Sequence, residues 1–128
     1  MTDQRYLEPS QAQLERLIAA AQDDDGPVVM VNLLAFDGAA GRDGYLEYAR
    51  AVQPHLERVG ATLLFAGAAA EVVIGADETP WWDAVALVRY PSRAAFLDMV
   101  FDPDYQAIAG MRSAALANSA LIATTPTY

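Results

Sequence analysis

The fold class this sequence predicts is α+β: a four-stranded antiparallel sheet with helices on one face, preceded by an additional N-terminal helix. Three observations predict it. Once the first helix is set aside, apolar segments and helical segments alternate in the order strand, helix, strand, strand, helix, strand. Hydrophobic residues make up 54% of the 128 residues, enough for one core without disulfides. The strands are also too apolar for one face of the sheet to stand bare in water.

The elements follow in order. EPSQAQLERLIAAAQ, residues 8–22, is a helix with Ser10 as N-cap and a stripe of Leu14, Leu17, Ile18 and Ala21. The acidic run Asp23–Asp25 opposes the dipole at a helix C-terminus and reads as a solvated loop. Residues 1–26 are therefore the N-terminal helix and its acidic loop, and 27–128 are the main domain. PVVMVNLLAF (27–36) is a buried strand broken only by Asn32. DGAAGRDG (37–44) is rich in turn residues and reads as a loop.

A long helix over 44–60 puts Tyr45, Tyr48, Ala49, Val52, Leu56 and Val59 on one face. Pro54 should kink it, and Gly60 fits just past its end. ATLLFAGAAAEVVIG (61–75) is one long strand, or two short ones broken near Gly67. WWDAVALVRY (81–90) alternates as a half-buried strand. Ser92 caps the next helix, and Asp102 and Pro103 break it to begin another. ALIATTP (120–126) closes the chain as a strand. This order is that of the ferredoxin-like βαββαβ fold. The simplest cover for its open sheet face is a second copy of the chain.

Composition excludes several functions. There is no cysteine, so thiol catalysis and Cys-based metal sites fall away. Net charge is −9 and every positive charge is an arginine. A nucleic-acid partner would need a basic stripe, and Schiff-base chemistry a lysine. No stretch reaches the roughly 18 apolar residues of a membrane span. The N-terminus does not resemble a signal peptide, and a cytoplasmic location is expected.

The residues that could carry chemistry are few. In FDPDYQAIAGMRSAAL (101–116), Tyr105, Ile108, Arg112 and Leu116 share a helical face. An arginine in that stripe either snorkels to water, pairs with Asp83, Asp102 or Asp104, or binds an anionic ligand oxygen. Tyr105 is placed to join it or simply to pack. Asn32, on an apolar strand, either orients a ligand carbonyl or bonds local backbone. Tyr45 and Tyr48 bring hydroxyls that need partners to the boundary of helix and sheet. Trp81 and Trp82 point to opposite faces, one under a helix and one toward a cavity or interface. Asp83 is a candidate base, or the partner of a surface salt bridge. His55, the single histidine, is a candidate proton carrier or a locally bonded helix residue. One histidine without cysteine makes no transition-metal site.

PVVMVNLLAF, GYLEYARAV, VRYPSRAAFLDMV with DPDYQAI and the following arginine, and the closing LIAT resemble the family called domain of unknown function 1330, within the dimeric alpha/beta barrel superfamily. The resemblance covers roughly residues 27–124. It implies a homodimer with a small-molecule site between sheet and helices, holding an apolar, aromatic or polyketide-like ligand and needing no cofactor. Superfamily relatives include cofactor-independent monooxygenases and isomerases, and the resemblance suggests chemistry through an enolate. Family members often carry a histidine directly before the arginine, where this chain has Met111. That departure weighs toward the alternative, a ligand-binding or structural dimer without catalysis.

Overall fold

The computed structural model describes residues 5–77 and 82–127. The elements are α1 (Gln11–Asp23), β1 (Val28–Phe36), α2 (Gly38–Arg58), β2 (Thr62–Ala68), β3 (Ala84–Tyr90), α3 (Arg93–Phe101), α4 (Pro103–Ala115) and β4 (Leu116–Thr124). The strands make one antiparallel sheet in the order β2-β3-β1-β4. This is the ferredoxin-like arrangement, with β1 inside and paired on both sides. Among the described residues no helix is long and apolar enough to cross a membrane.

The period of two in β1 sets the layers. Val28, Met30, Asn32 and Leu34 are buried beneath the helices. Tyr90 and Val88 join them from β3, and the α2 stripe of Tyr48, Val52 and Leu56 closes the core from above. Residues of the opposite parity form the open face. Register carries one apolar row straight across it: Phe65, Leu87, Val31 and Ile122. Phe65 is 54% exposed and Ile122 48%.

Local chemistry fixes the helix ends. Ser10 forms a reciprocal capping box with Gln13, and the Ser92 hydroxyl accepts from the Ala95 amide at 3.0 Å. The Asp102 carboxylate accepts from the Asp104 amide at 2.7 Å, so it closes α3 and caps α4. Gly60, at φ +77°, ends α2 in a left-handed turn, with the Ala61 amide bonded to the Leu56 carbonyl.

Several elements differ from the sequence expectation. DGAAGRDG is not a loop, because α2 begins at Gly38. Its first turn docks on the junction of α4 and β4, where the Asp37 amide bonds to the Ala115 carbonyl at 3.0 Å. A Cβ on Gly41 would lie 2.4 Å from that same carbonyl oxygen, so the glycine permits the approach. Packing here overrides poor helix propensity. Pro54 lies inside an unbroken α2. β2 stops at Ala68, and its irregularity falls between Leu63 and Phe65 rather than at Gly67. β3 starts at Ala84, three residues later than the alternation suggested, and β4 starts at Leu116, four residues earlier. α1 joins the helical layer. It packs on α3, where Arg93 reaches Asp24 at 3.4 Å and Thr125 at 2.9 Å.

Candidate functional site

Helix spacing builds the site. Tyr45 and Tyr48 are three apart on α2, and Tyr105, Ile108 and Arg112 recur at three and four on α4. The two helices pack against each other over the sheet, so the two stripes meet. The Tyr48 and Tyr105 hydroxyls lie 2.8 Å apart, both buried. The Tyr45 ring packs on Tyr48 at 5.5 Å and on Phe36 at 5.6 Å.

The electrostatics are those of a phenol cluster around one cation. Burial raises the Tyr45 pKa above its ordinary value, and the charge of Arg112 and its hydrogen bonding to the phenol oppose that rise. Burial raises Tyr48 more strongly, helped by its bond to Tyr105. Tyr90 is raised chiefly by burial and also feels Tyr105, Tyr45 and Arg112. At neutral pH these phenols are therefore neutral hydrogen-bond donors.

Arg112 is the unusual member. Its Nη1 donates to the Leu7 carbonyl at a long 3.4 Å, and its Nη2 is buried without a well-formed hydrogen bond, with the Tyr45 hydroxyl close to the guanidinium. None of the ion pairs among the described residues includes it. The expected partners are engaged elsewhere. Asp102 pairs with Arg58 at 3.1 Å, and Asp104 is exposed in the first turn of α4. Asp83 is exposed and accepts from the Phe36 amide at 2.8 Å, closing the end of β1. The contrast with Arg93 is direct, since that buried arginine has a carboxylate and a hydroxyl.

Asn32 lies on the same helix-facing side of the sheet, 9% exposed. Its amide donates at 3.4 Å to the Met30 and Ala86 carbonyls, two long bonds to local backbone. His55 is half-buried and stands edge-on to Tyr105, with ring centroids 5.9 Å apart. Met111 is half-buried against the core and lines a shallow groove with Gly44 and Glu47. Asp83 borders a separate open groove with Phe36, Arg42 and Asp43 and does not join Arg112. Trp82 is half-buried ahead of β3, and Trp81 lies outside the described residues.

Two parts of the site escaped sequence reasoning. Tyr90, on β3, is not among the residues singled out from the sequence. Its signal was a phenol at a buried parity, where a hydroxyl needs company. The segment Arg5–Leu7, whose Leu7 carbonyl accepts from Arg112, gave no signal in a polar N-terminus of mixed charge. Among the described residues no group of three His, Asp or Glu side chains is placed to hold a metal.

The profile of the family "Domain of unknown function (DUF1330)" matches residues 39–125. The chain belongs to this family. A protein of unknown function from Rhodopseudomonas palustris, RPA0582, is 30% identical to this DUF1330 protein, with 98% of this chain and 99% of that one covered and a TM-score of 0.88. A dimeric ferredoxin-like protein of unknown function from Jannaschia sp. CCS1 is 14% identical, covering 79% and 100%, at a TM-score of 0.60. A provisionally assigned antibiotic biosynthesis monooxygenase from Bacteroides thetaiotaomicron VPI-5482 is 16% identical, covering 84% and 93%, at 0.58. The last two likenesses concern the fold alone. Among curated proteins none matches the chain.

Proposed function

We propose that this DUF1330 protein binds a small acidic or enolisable organic molecule between sheet and helices, as a homodimer. One observation carries the reading: Arg112 Nη2 is buried without a well-formed hydrogen bond, and the guanidinium has only a neutral phenol, Tyr45, and the Leu7 carbonyl beside it. A guanidinium in that state is satisfied by a carboxylate, enolate or phenolate oxygen. The side chains packed around it are aromatic and aliphatic, which suits an aromatic or polyketide-like body. If the ligand reacts, Arg112 stabilises the developing oxyanion and no cofactor is needed. Enolate chemistry also needs a base, and of the two candidates only His55 lies against the cluster, through Tyr105. Among the described residues no carboxylate pairs with Arg112, which leaves the guanidinium to a ligand and favours binding as the primary activity. The apolar row on the open sheet face supports pairing with a second copy, in line with the dimeric relative from Jannaschia.

Calorimetric titration with salicylate, a planar aromatic acid, tests the reading. Wild type should bind, and Arg112→Met should bind at least about tenfold more weakly, the loss expected for one charge-assisted hydrogen bond. Arg112→Met should also be the more stable protein by about 1–3 kcal/mol in urea, because an unsatisfied buried charge has gone. A variant that loses stability and leaves binding unchanged would mean that the arginine is structural.

A further inference from the structure

We propose that the segment Arg5–Leu7 is a displaceable strap over the Arg112 site, with the Leu7 carbonyl standing where an anionic ligand oxygen binds. The proposal rests on the ligand reading above and adds how the site is reached.

The segment crosses from the start of β4 to α4. Arg5 donates through Nε to the Ala117 carbonyl and through Nη2 to the Leu116 carbonyl, each at 3.1 Å. The Tyr6 amide donates to Asn118 Oδ1 at 2.8 Å, and the Ser119 hydroxyl donates to the Tyr6 carbonyl. Leu7 then offers its carbonyl to Arg112 Nη1. These contacts are nearly all polar. Arg5 and Glu8 are exposed, and the Tyr6 side chain is 57% exposed. Leu7 is half-buried, the one apolar anchor of the segment, and a segment held mainly by hydrogen bonds detaches locally at small cost.

Beyond the strap, the chain is fixed again at Ser10, whose capping box starts α1. Release therefore needs only the residues before Ser10 to swing, with α1 left docked on α3. The Leu7–Arg112 bond is the weakest of the set at 3.4 Å, and it leaves the second guanidinium nitrogen unfilled. A carboxylate would fill both nitrogens with a planar fork, which a single carbonyl cannot do. The ligand thus displaces a poor internal acceptor with a better one. Ser119 faces the helix side of the sheet, opposite Leu34, so the strap lies away from the open apolar face.

The first arm of the test needs no ligand. Phenylglyoxal labels accessible arginines, and peptide mapping reads the rate at Arg112 in wild type, in Arg5→Ala and in a chain lacking residues 1–7. Arg5→Ala removes two strap bonds from an exposed position, and a matched urea midpoint shows that the fold is intact. Labelling of Arg112 should rise about tenfold in Arg5→Ala and further in the shortened chain. Equal rates in all three proteins overturn the strap. In parallel, salicylate association should be faster in Arg5→Ala than in wild type. Faster labelling with unchanged salicylate association also overturns the gate. If salicylate binds none of the proteins while labelling rises, the cover over Arg112 stands and only the ligand reading fails.

Discussion

Arg112 is held where a charge is expensive. Its carrier helix needs an inward residue at that turn, and a leucine there would satisfy packing at less cost. The surrounding phenols share that environment and supply a measurable consequence. Burial raises the pKa values of Tyr45, Tyr48 and Tyr90 above the ordinary 10.0. The unfolded chain therefore loses these protons first as pH climbs. Their contribution to stability is complete below about pH 10 and falls above it, by up to about 1.4 kcal/mol per pH unit for each phenol. Urea midpoints from pH 8 to 11.5 should show the decline, and Tyr48→Phe should make it shallower. An unchanged slope in Tyr48→Phe would mean that this hydroxyl is not shielded. At this scale the sequence was partly readable. Spacing alone aligned Tyr105, Ile108 and Arg112, because helix geometry is periodic. It could not place Asp83, since β3 starts one residue beyond it and strand alternation no longer constrains its direction.

The elements show where local preference yields to packing. Residues 37–44 carry three glycines and two aspartates, yet from Gly38 they are helix, pressed against the end of α4. Gly41→Ala should therefore destabilise, although alanine is the better helix former. The added methyl would meet the Ala115 carbonyl at 2.4 Å, and backbone would have to shift. A loss of about 1–3 kcal/mol in urea unfolding is expected, with Gly38→Ala excluded as a control because its φ of +69° is strained in its own right. A neutral or stabilising Gly41→Ala would show that α2 does not sit so close in solution. The strand order was legible because β1, β3 and the β4 core are apolar enough to announce themselves. The early start of β4 was not, since Leu116–Ser119 continues the composition of α4 and only the register with β1 distinguishes it.

At the scale of the molecule, the sheet has two unlike faces. One is sealed by helices, and the other presents Phe65, Leu87, Val31 and Ile122 in a row. Phe65→Glu places a charge in that row while leaving the helix-side core untouched. Sedimentation should find a dimer in wild type and a monomer in the variant, with the Arg112 site still labelled at the wild-type rate. A variant that remains dimeric would move the interface off this face. The sheet order has one more consequence, which concerns synthesis. β1 leads the sheet in the chain, but both of its neighbours come from the second half, and Leu34 pairs with Ser119 roughly 85 residues later. At about 5–20 residues per second, a ribosome needs on the order of 5–15 s to supply that partner. Even its earlier partner, β3, follows about 50 residues after Leu34, and until then the most apolar strand of the protein has no place to pair. The newborn chain, rather than the finished fold, is where this protein is most open to aggregation and most in need of a chaperone.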